Sequence, residues 1–285
     1  MSPEHRDLAL PATMRAQFDQ QARVWLEDRH ERRAVAPRAA ASVLLLREAR
    51  RADATGVEVF TQHRVAGMAF AASMYVYPGG GVDERDGQGE LEWAGPGRRP
   101  EQWVQALGVE EPLARLVVLA AVRELFEESG VLLAGTGADS LAPARGPRWR
   151  DYRAGLVSRR LRVAEVMRAE SLVPRSDLLH PVARWVTPEC EPRRYDTFFF
   201  AAALPPGQDA DGETSEACAA GWVDPAWLVR DACHALMAPT QILAEELAEA
   251  GGLREFLHRG RSMSAVRPYP VDTADGIQLR VPGAD

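Results

Sequence analysis

The strongest constraint in this sequence is a cluster of acids at the end of a helix. Residues 111–129 begin with acids around Pro112 and stop at Gly130, the pattern of a helix started by proline and ended by glycine. At about 100° per residue, Glu124, Glu127 and Glu128 share one arc of roughly 100°, while Val118, Val122 and Leu125 form a stripe centred on another face. Like charges at this spacing cost about 0.2 to 0.5 kcal/mol per pair, and carboxylates near a helix C-terminus about 0.3 to 1 kcal/mol each. Where a sequence breaks local rules in this way, function is the first suspect. A hard divalent cation, Mg²⁺ or Mn²⁺, removes the penalty, because it takes oxygen ligands and leaves positions open for water and phosphate. The plain alternative is an acidic face turned to water, which spacing by itself favours.

Composition excludes other chemistries. The chain has 285 residues with 34 basic and 41 acidic, a net charge of −7; every basic residue is Arg, and neither Lys nor Asn occurs. Schiff-base, pyridoxal-phosphate and P-loop lysines are therefore ruled out, as are Asn-dependent triads. The negative balance argues against a nucleic-acid partner. Cys190, Cys218 and Cys233 form no CxxC pair, and the six histidines lack metal-ligand spacing. No secretory pattern and no membrane span is present, so the expected location is the cytoplasm, with no membrane partner.

The chain is divided as a helical N-terminal arm, 1–36, with its helix over 12–31, and one α/β domain, 37–285. Residues 39–46 and 57–63 read as a hairpin, and a short strand at 73–77 runs into Pro78-Gly79-Gly80-Gly81. Residues 87–110 look inserted, with a helix at 100–107; the insertion carries Trp93 and Trp103 and is read as a lid or as a surface pairing two copies into a homodimer. Later helices are expected at 149–169, 224–236, 239–250 and 253–258, strands at 182–186 and 195–204, and two short strands about Asp275-Gly276.

The string Arg123-Glu124-Leu125-Phe126-Glu127-Glu128-Ser129-Gly130-Val131, with the upstream Pro-Gly-Gly, resembles the Nudix box, G-x5-E-x7-R-E-U-x-E-E-x-G-U. Counted from Gly80, Asp86 stands where the pattern has Glu, and 36 residues, 87–122, replace the usual 7. A split box of this kind, together with Trp149-Arg150-Asp151, Trp185-Val-Thr-Pro188, Arg193-Arg-Tyr-Asp-Thr197 and Thr273-Ala-Asp-Gly276, is similar to the subgroup that includes the mammalian peroxisomal coenzyme A diphosphatase. The resemblance covers roughly residues 39–285 in order. It implies an α/β/α sandwich with a mixed sheet, decorated by the N-terminal arm, the insertion and C-terminal helices.

The implied activity is metal-dependent hydrolysis of a nucleoside diphosphate linked to another moiety. The subgroup points to coenzyme A or acyl-coenzyme A, giving 3′,5′-ADP and 4′-phosphopantetheine. NADH, FAD, ADP-ribose or a capped RNA end are alternative substrates, and a non-catalytic ligand sensor is a further alternative, against which the intact Arg123, Glu124, Glu127 and Glu128 argue. The resemblance makes Glu127 and Glu128 metal ligands and Glu124 a third ligand or a positioner of the attacking water. A carbonyl of Gly79 or Gly80 joins them, and Arg123 supports Glu127. Glu216 is chosen as an added catalytic carboxylate over Asp209, Asp211 and Glu213. Arg64, Arg193 and Arg194, with Gly80 and Gly81, are expected on the substrate, because a guanidinium binds phosphate bidentately.

Overall fold

Residues 38–48 form the middle of the molecule because their apolar run, Val43 to Leu46, is fully buried on both faces, as expected of a strand covered by helices on each side. The computed structural model describes residues 5–28, 33–49, 56–67, 71–89, 91–214 and 217–283. In chain order they form β1 (His5–Leu8), α1 (Ala12–Glu27), β2 (Arg38–Glu48), β3 (Val57–Arg64), β4 (Tyr75–Val76), β5 (Gly79–Gly81), α2 (Pro100–Leu107) and α3 (Glu111–Ser129). Then follow β6 (Ala134–Gly135), α4 (Pro147–Val157), α5 (Val163–Ala169), β7 (Val173–Pro174), β8 (His180–Val186), β9 (Tyr195–Ala203) and β10 (Ala217–Val223). The chain continues through α6 (Pro225–Asp231), α7 (Ala238–Ala248), α8 (Leu253–His258), β11 (Ala265–Val266), β12 (Tyr269–Thr273) and β13 (Gly276–Pro282).

The main sheet runs β10-β3-β2-β9-β8-β11, with β4 on β3 and β5 on β2. It is mixed: β2 is parallel to β9 from Arg38↔Tyr195 to Leu46↔Ala203. Its other edge is shared, Leu46 to Glu48 pairing with β3 and Ala40 to Ser42 with the glycine strand β5. Val43 and Leu45 pack with Phe198, Phe200 and α2 to α5 on one face; Leu44, Leu46 and Phe199 pack with α6 to α8 on the other. The result is the expected α/β/α sandwich. A second sheet, β1-β13-β12, receives α1 through Phe18 and Ala22 against Ile277 and Leu279.

Several elements differ from the sequence reading. The strand expected over 73–77 is only Tyr75–Val76, and the glycines beyond Pro78 are themselves a strand rather than a turn. Gly79 fits because a Cβ there would lie 2.6 Å from the Ala41 carbonyl oxygen and 2.7 Å from Ser42 Cα, both backbone atoms of β2. Gly79→Ala is therefore expected to destabilise the fold by about 1 to 3 kcal/mol, read from urea unfolding; an unchanged midpoint would contradict this packing. The helix expected over 149–169 is two helices, broken where Arg159 takes a left-handed φ of 55° and the Arg160 and Leu161 amides close onto the Gly155 carbonyl. The helix expected over 224–236 stops at Asp231, and Leu236 instead bridges to Tyr75. The N-terminal helix ends at Glu27; residues 29–31 of its expected span lie outside the described residues. Trp93 and Trp103 are buried in the core, the Trp103 indole N–H donating to Ser176 Oγ at 3.1 Å, so neither indole serves a lid or a pairing surface.

Candidate functional site

Helix α3 has Pro112 in its first turn and ends on Gly130, whose φ of 73° allows its N–H to close onto the Phe126 carbonyl. Between these caps Val117 to Val122 are all buried. A helix buried this thoroughly carries its acids inward, and Glu124 and Glu128 are buried while Glu127 is half-buried. They do not form a solvated acidic face.

Arg123 lies at the centre of the acids. Its Nε donates to both Asp86 carboxylate oxygens at 3.1 and 2.9 Å, and its Nη1 to Glu124 at 2.7 Å and Glu127 at 3.2 Å. Its Nη2 donates to the Gly81 carbonyl at 2.9 Å, tying the glycine strand to the helix. Asp86 reaches this cluster from a short 3₁₀ turn, Glu84–Gly87, at the start of the inserted segment. Burial pushes the Glu124 carboxyl up to about 7, opposed by Arg123, and raises Glu127 and Asp86 in the same way. Burial works against the Arg123 charge, but Glu124, Asp86 and Glu127 outweigh it and hold the guanidinium protonated.

Glu128 faces the other end of the glycine strand, where its Oε2 accepts from the Gly79 N–H at 2.9 Å. Its carbonyl accepts from the buried Gln62 side chain of β3 at 3.2 Å. At Gly80 a Cβ would fall 2.6 Å from the Glu124 carboxyl carbon, so any side chain there would push the carboxylate away from its 2.7 Å bond with Arg123. The donor set around that gap is hard oxygen, carboxylates and glycine carbonyls, and it suits Mg²⁺ or Mn²⁺. Among the described residues no three His, Cys, Asp or Glu side chains are already gathered as a ligand set, since Arg123 stands between Asp86, Glu124 and Glu127.

The remaining expected residues lie at strand ends or outside what is described. Glu216 falls outside the described residues. Arg64 ends β3 opposite Ala217, and Arg193 is exposed beside β9. Arg194 is buried, with Nε and Nη1 donating to the Thr187 and Val35 carbonyls, and makes no contact with the carboxylate cluster. Asp196, beside it in sequence, is held bidentately by Arg184 at 2.9 and 2.7 Å.

Sequence reasoning missed a clamp at the end of α3. Arg153 of α4 donates to the Glu127 carbonyl at 2.8 Å and to Asp211 at 2.6 Å, and the Asp211 N–H donates to the Ser129 carbonyl at 2.9 Å. The loop approaching residues 215–216 is thereby laced to the carboxylate helix. The only signal was the acidic loop Asp209-Ala-Asp-Gly, which reads as merely polar.

A mixed sheet between helical layers, with a glycine strand docked on an acidic helix end, is the fold of the Nudix hydrolases. The chain is similar to a NUDIX hydrolase from Alicyclobacillus acidocaldarius over 81% of its own length and 98% of the other chain, with TM-score 0.61 and 21% identity. Looser likenesses are to the NUDIX domain of Shewanella oneidensis NrtR complexed with ADP ribose (12% identity, 80% and 96% covered, TM-score 0.38) and to a C. elegans Ap4A hydrolase (13%, 74% and 95%, 0.35). No protein-family model matches the chain, and no curated protein matches it by sequence.

Proposed function

We propose that this chain is a Nudix-type hydrolase that cleaves a nucleoside diphosphate linked to another moiety. Its proposed substrate is coenzyme A or acyl-coenzyme A, released as 3′,5′-ADP and 4′-phosphopantetheine. The observation that carries the reading is the buried convergence of Glu124, Glu127 and Asp86 on Arg123, against a glycine strand that Glu128 and Arg123 both hold. The narrower substrate rests on the split box and the likeness of 193–197 and 273–276 to the coenzyme A subgroup.

In this reading Glu127 and Glu128 hold Mg²⁺ or Mn²⁺ with a carbonyl of Gly79 or Gly80, and Glu124 is a third ligand or orients the attacking water. A bound cation supplies charge stabilisation on the diphosphate and a more acidic water. Arg123 keeps the acids in register before substrate arrives, through its bonds to Asp86, Glu124 and Glu127. Gly80 and Gly81 leave the backbone open to phosphate, Arg64 and Arg193 supply positive charge in a chain of net −7, and Glu216 adds a carboxylate. Among the described residues no helix is long and apolar enough to cross a membrane; the reading places the enzyme in the cytoplasm.

The test is mass spectrometry of products after incubation with coenzyme A, an acyl-coenzyme A, NADH, FAD and ADP-ribose, each with Mg²⁺, with Mn²⁺ and with chelator. Metal-dependent release of 3′,5′-ADP, preferred over cleavage of the other diphosphates, is the expected result. Preference for NADH, FAD or ADP-ribose would overturn the substrate and keep the reaction class. Binding without turnover of any of them would overturn the enzyme in favour of a ligand sensor.

A further inference from the structure

Three arginines are buried among the described residues: Arg153, Arg175 and Arg194. Two of them face a carboxylate, Arg153 with Asp211 at 2.6 Å and Arg175 with Asp177 at 2.8 Å. Arg194 has no such partner among the described residues. Its Nε donates to the Thr187 carbonyl at 3.0 Å and its Nη1 to the Val35 carbonyl at 2.6 Å. Two carbonyl dipoles satisfy hydrogen bonds but do not cancel the charge, and a buried cation without a counter-charge is strongly unfavourable.

Arg194 lines a cleft of about 350 Å³ formed by the end of α1, the turn after β8 and the segment entering β12. Arg267, Trp25 and Tyr269 line it too, with Glu189 as the carboxylate in the lining. Burial lowers the Arg194 pKa, with the Glu189 carboxylate opposing it and Arg267 adding to it more weakly, so two positive groups share this space with one exposed carboxylate. The volume lies within the range of small-molecule sites, well beyond what a bare phosphate needs, and part of the wall is aromatic.

We propose that this cleft binds a nucleotide, with Arg194 and Arg267 taking a phosphate monoester and Trp25 and Tyr269 flanking the flat ring. The cleft's lining shares no residue with the carboxylate cluster, and the inference does not depend on hydrolysis. Its ligand is either the nucleotide half of the enzyme's own substrate or a nucleotide that binds independently.

The test is calorimetry on the full chain with chelator present, using AMP, 3′,5′-ADP, adenosine and inorganic phosphate as probes. The two nucleotides are expected to bind, and adenosine at least about tenfold more weakly, as befits charge-assisted phosphate bonds. Arg194 also anchors backbone, so the informative variants are the exposed positions: Arg267→Gln and Tyr269→Ala should each weaken AMP by about tenfold, and Glu189→Gln should tighten it. No binding by either nucleotide, or equal affinity in the wild type, Arg267→Gln and Tyr269→Ala, would overturn the proposal. Steady-state kinetics separate the two sources. A raised KM with unchanged kcat in Arg267→Gln identifies the substrate's own nucleotide; loss of AMP binding with unchanged KM identifies an independent ligand.

Discussion

Glu128→Gln is expected to lower turnover by about two to three orders of magnitude while leaving the fold intact. The substitution keeps volume and removes charge. Glu128 is buried, and its Oε2 accepts the Gly79 N–H, a bond the glutamine amide oxygen can still accept. The glycine strand therefore keeps its anchor while the proposed cation loses an anionic ligand. Steady-state rates with Mg²⁺ and with Mn²⁺, alongside a thermal melt, check both halves. A variant retaining more than half of the wild-type rate would remove Glu128 from the metal site. One that melts far below wild type would show that the charge, and not only the shape, supports the glycine strand.

The second large effect falls on stability. Among the described residues Arg123 is the one cation paired with Asp86, Glu124 and Glu127, whose side chains are between 3 and 13% exposed, and Arg123→Ala removes it. Removing one partner of a buried ionic cluster costs about 3 to 5 kcal/mol, and the bond to Gly81 is lost as well. The loss should grow with pH. Glu124 already titrates near 7 in the folded chain against 4.5 as its ordinary value, and burial raises Asp86 and Glu127 in the same direction. In that window the folded state binds more protons than the unfolded state, so stability falls as pH rises. Without Arg123 the folded carboxylates move higher still and the fall steepens. Urea unfolding of chelator-treated protein at pH 5 and pH 8 should show the larger deficit at pH 8. An equal deficit at both would mean that Arg123 acts through packing and not through charge.

The parts of this molecule that sequence made legible are those whose causes are local. The helices at 100–107, 111–129 and 253–258 have the predicted bounds: Pro100 and Pro112 sit in first turns, and Gly108 and Gly130 take left-handed φ of 63° and 73°. The three acids on one arc were visible by counting, as was the bond between Arg123 and Glu127 four residues on. Their burial was not, because it depends on a glycine strand whose pairing with β2 is set by backbone fit. Strand β10 went unnoticed since Ala-Cys-Ala-Ala-Gly has neither alternation nor β-branching, and only its partner β3 makes it extended. β1 was missed for the same reason, its partner β13 lying at the far end of the chain. Arg194 shows what sequence position leaves open: its place within Arg-Arg-Tyr-Asp-Thr suggests a substrate contact, and only the fold shows that its guanidinium is held by two carbonyls at the wall of a cleft.

The parallel pairing of β2 with β9 bears on how such a chain is made. The whole carboxylate cluster, from Gly79 to Glu128, leaves the ribosome before any residue of β9 does, yet the strand that carries β5 has Tyr195 to Ala203 along its other edge from Arg38 to Leu46. Until those residues emerge, β2 presents a long apolar edge with unpaired backbone groups, the kind of surface that recruits other chains. Parallel pairing across so large a sequence separation also makes the closing step slow. Nascent chains stalled before residue 195 should therefore be held by chaperones, and those released after 203 should be able to close the sheet.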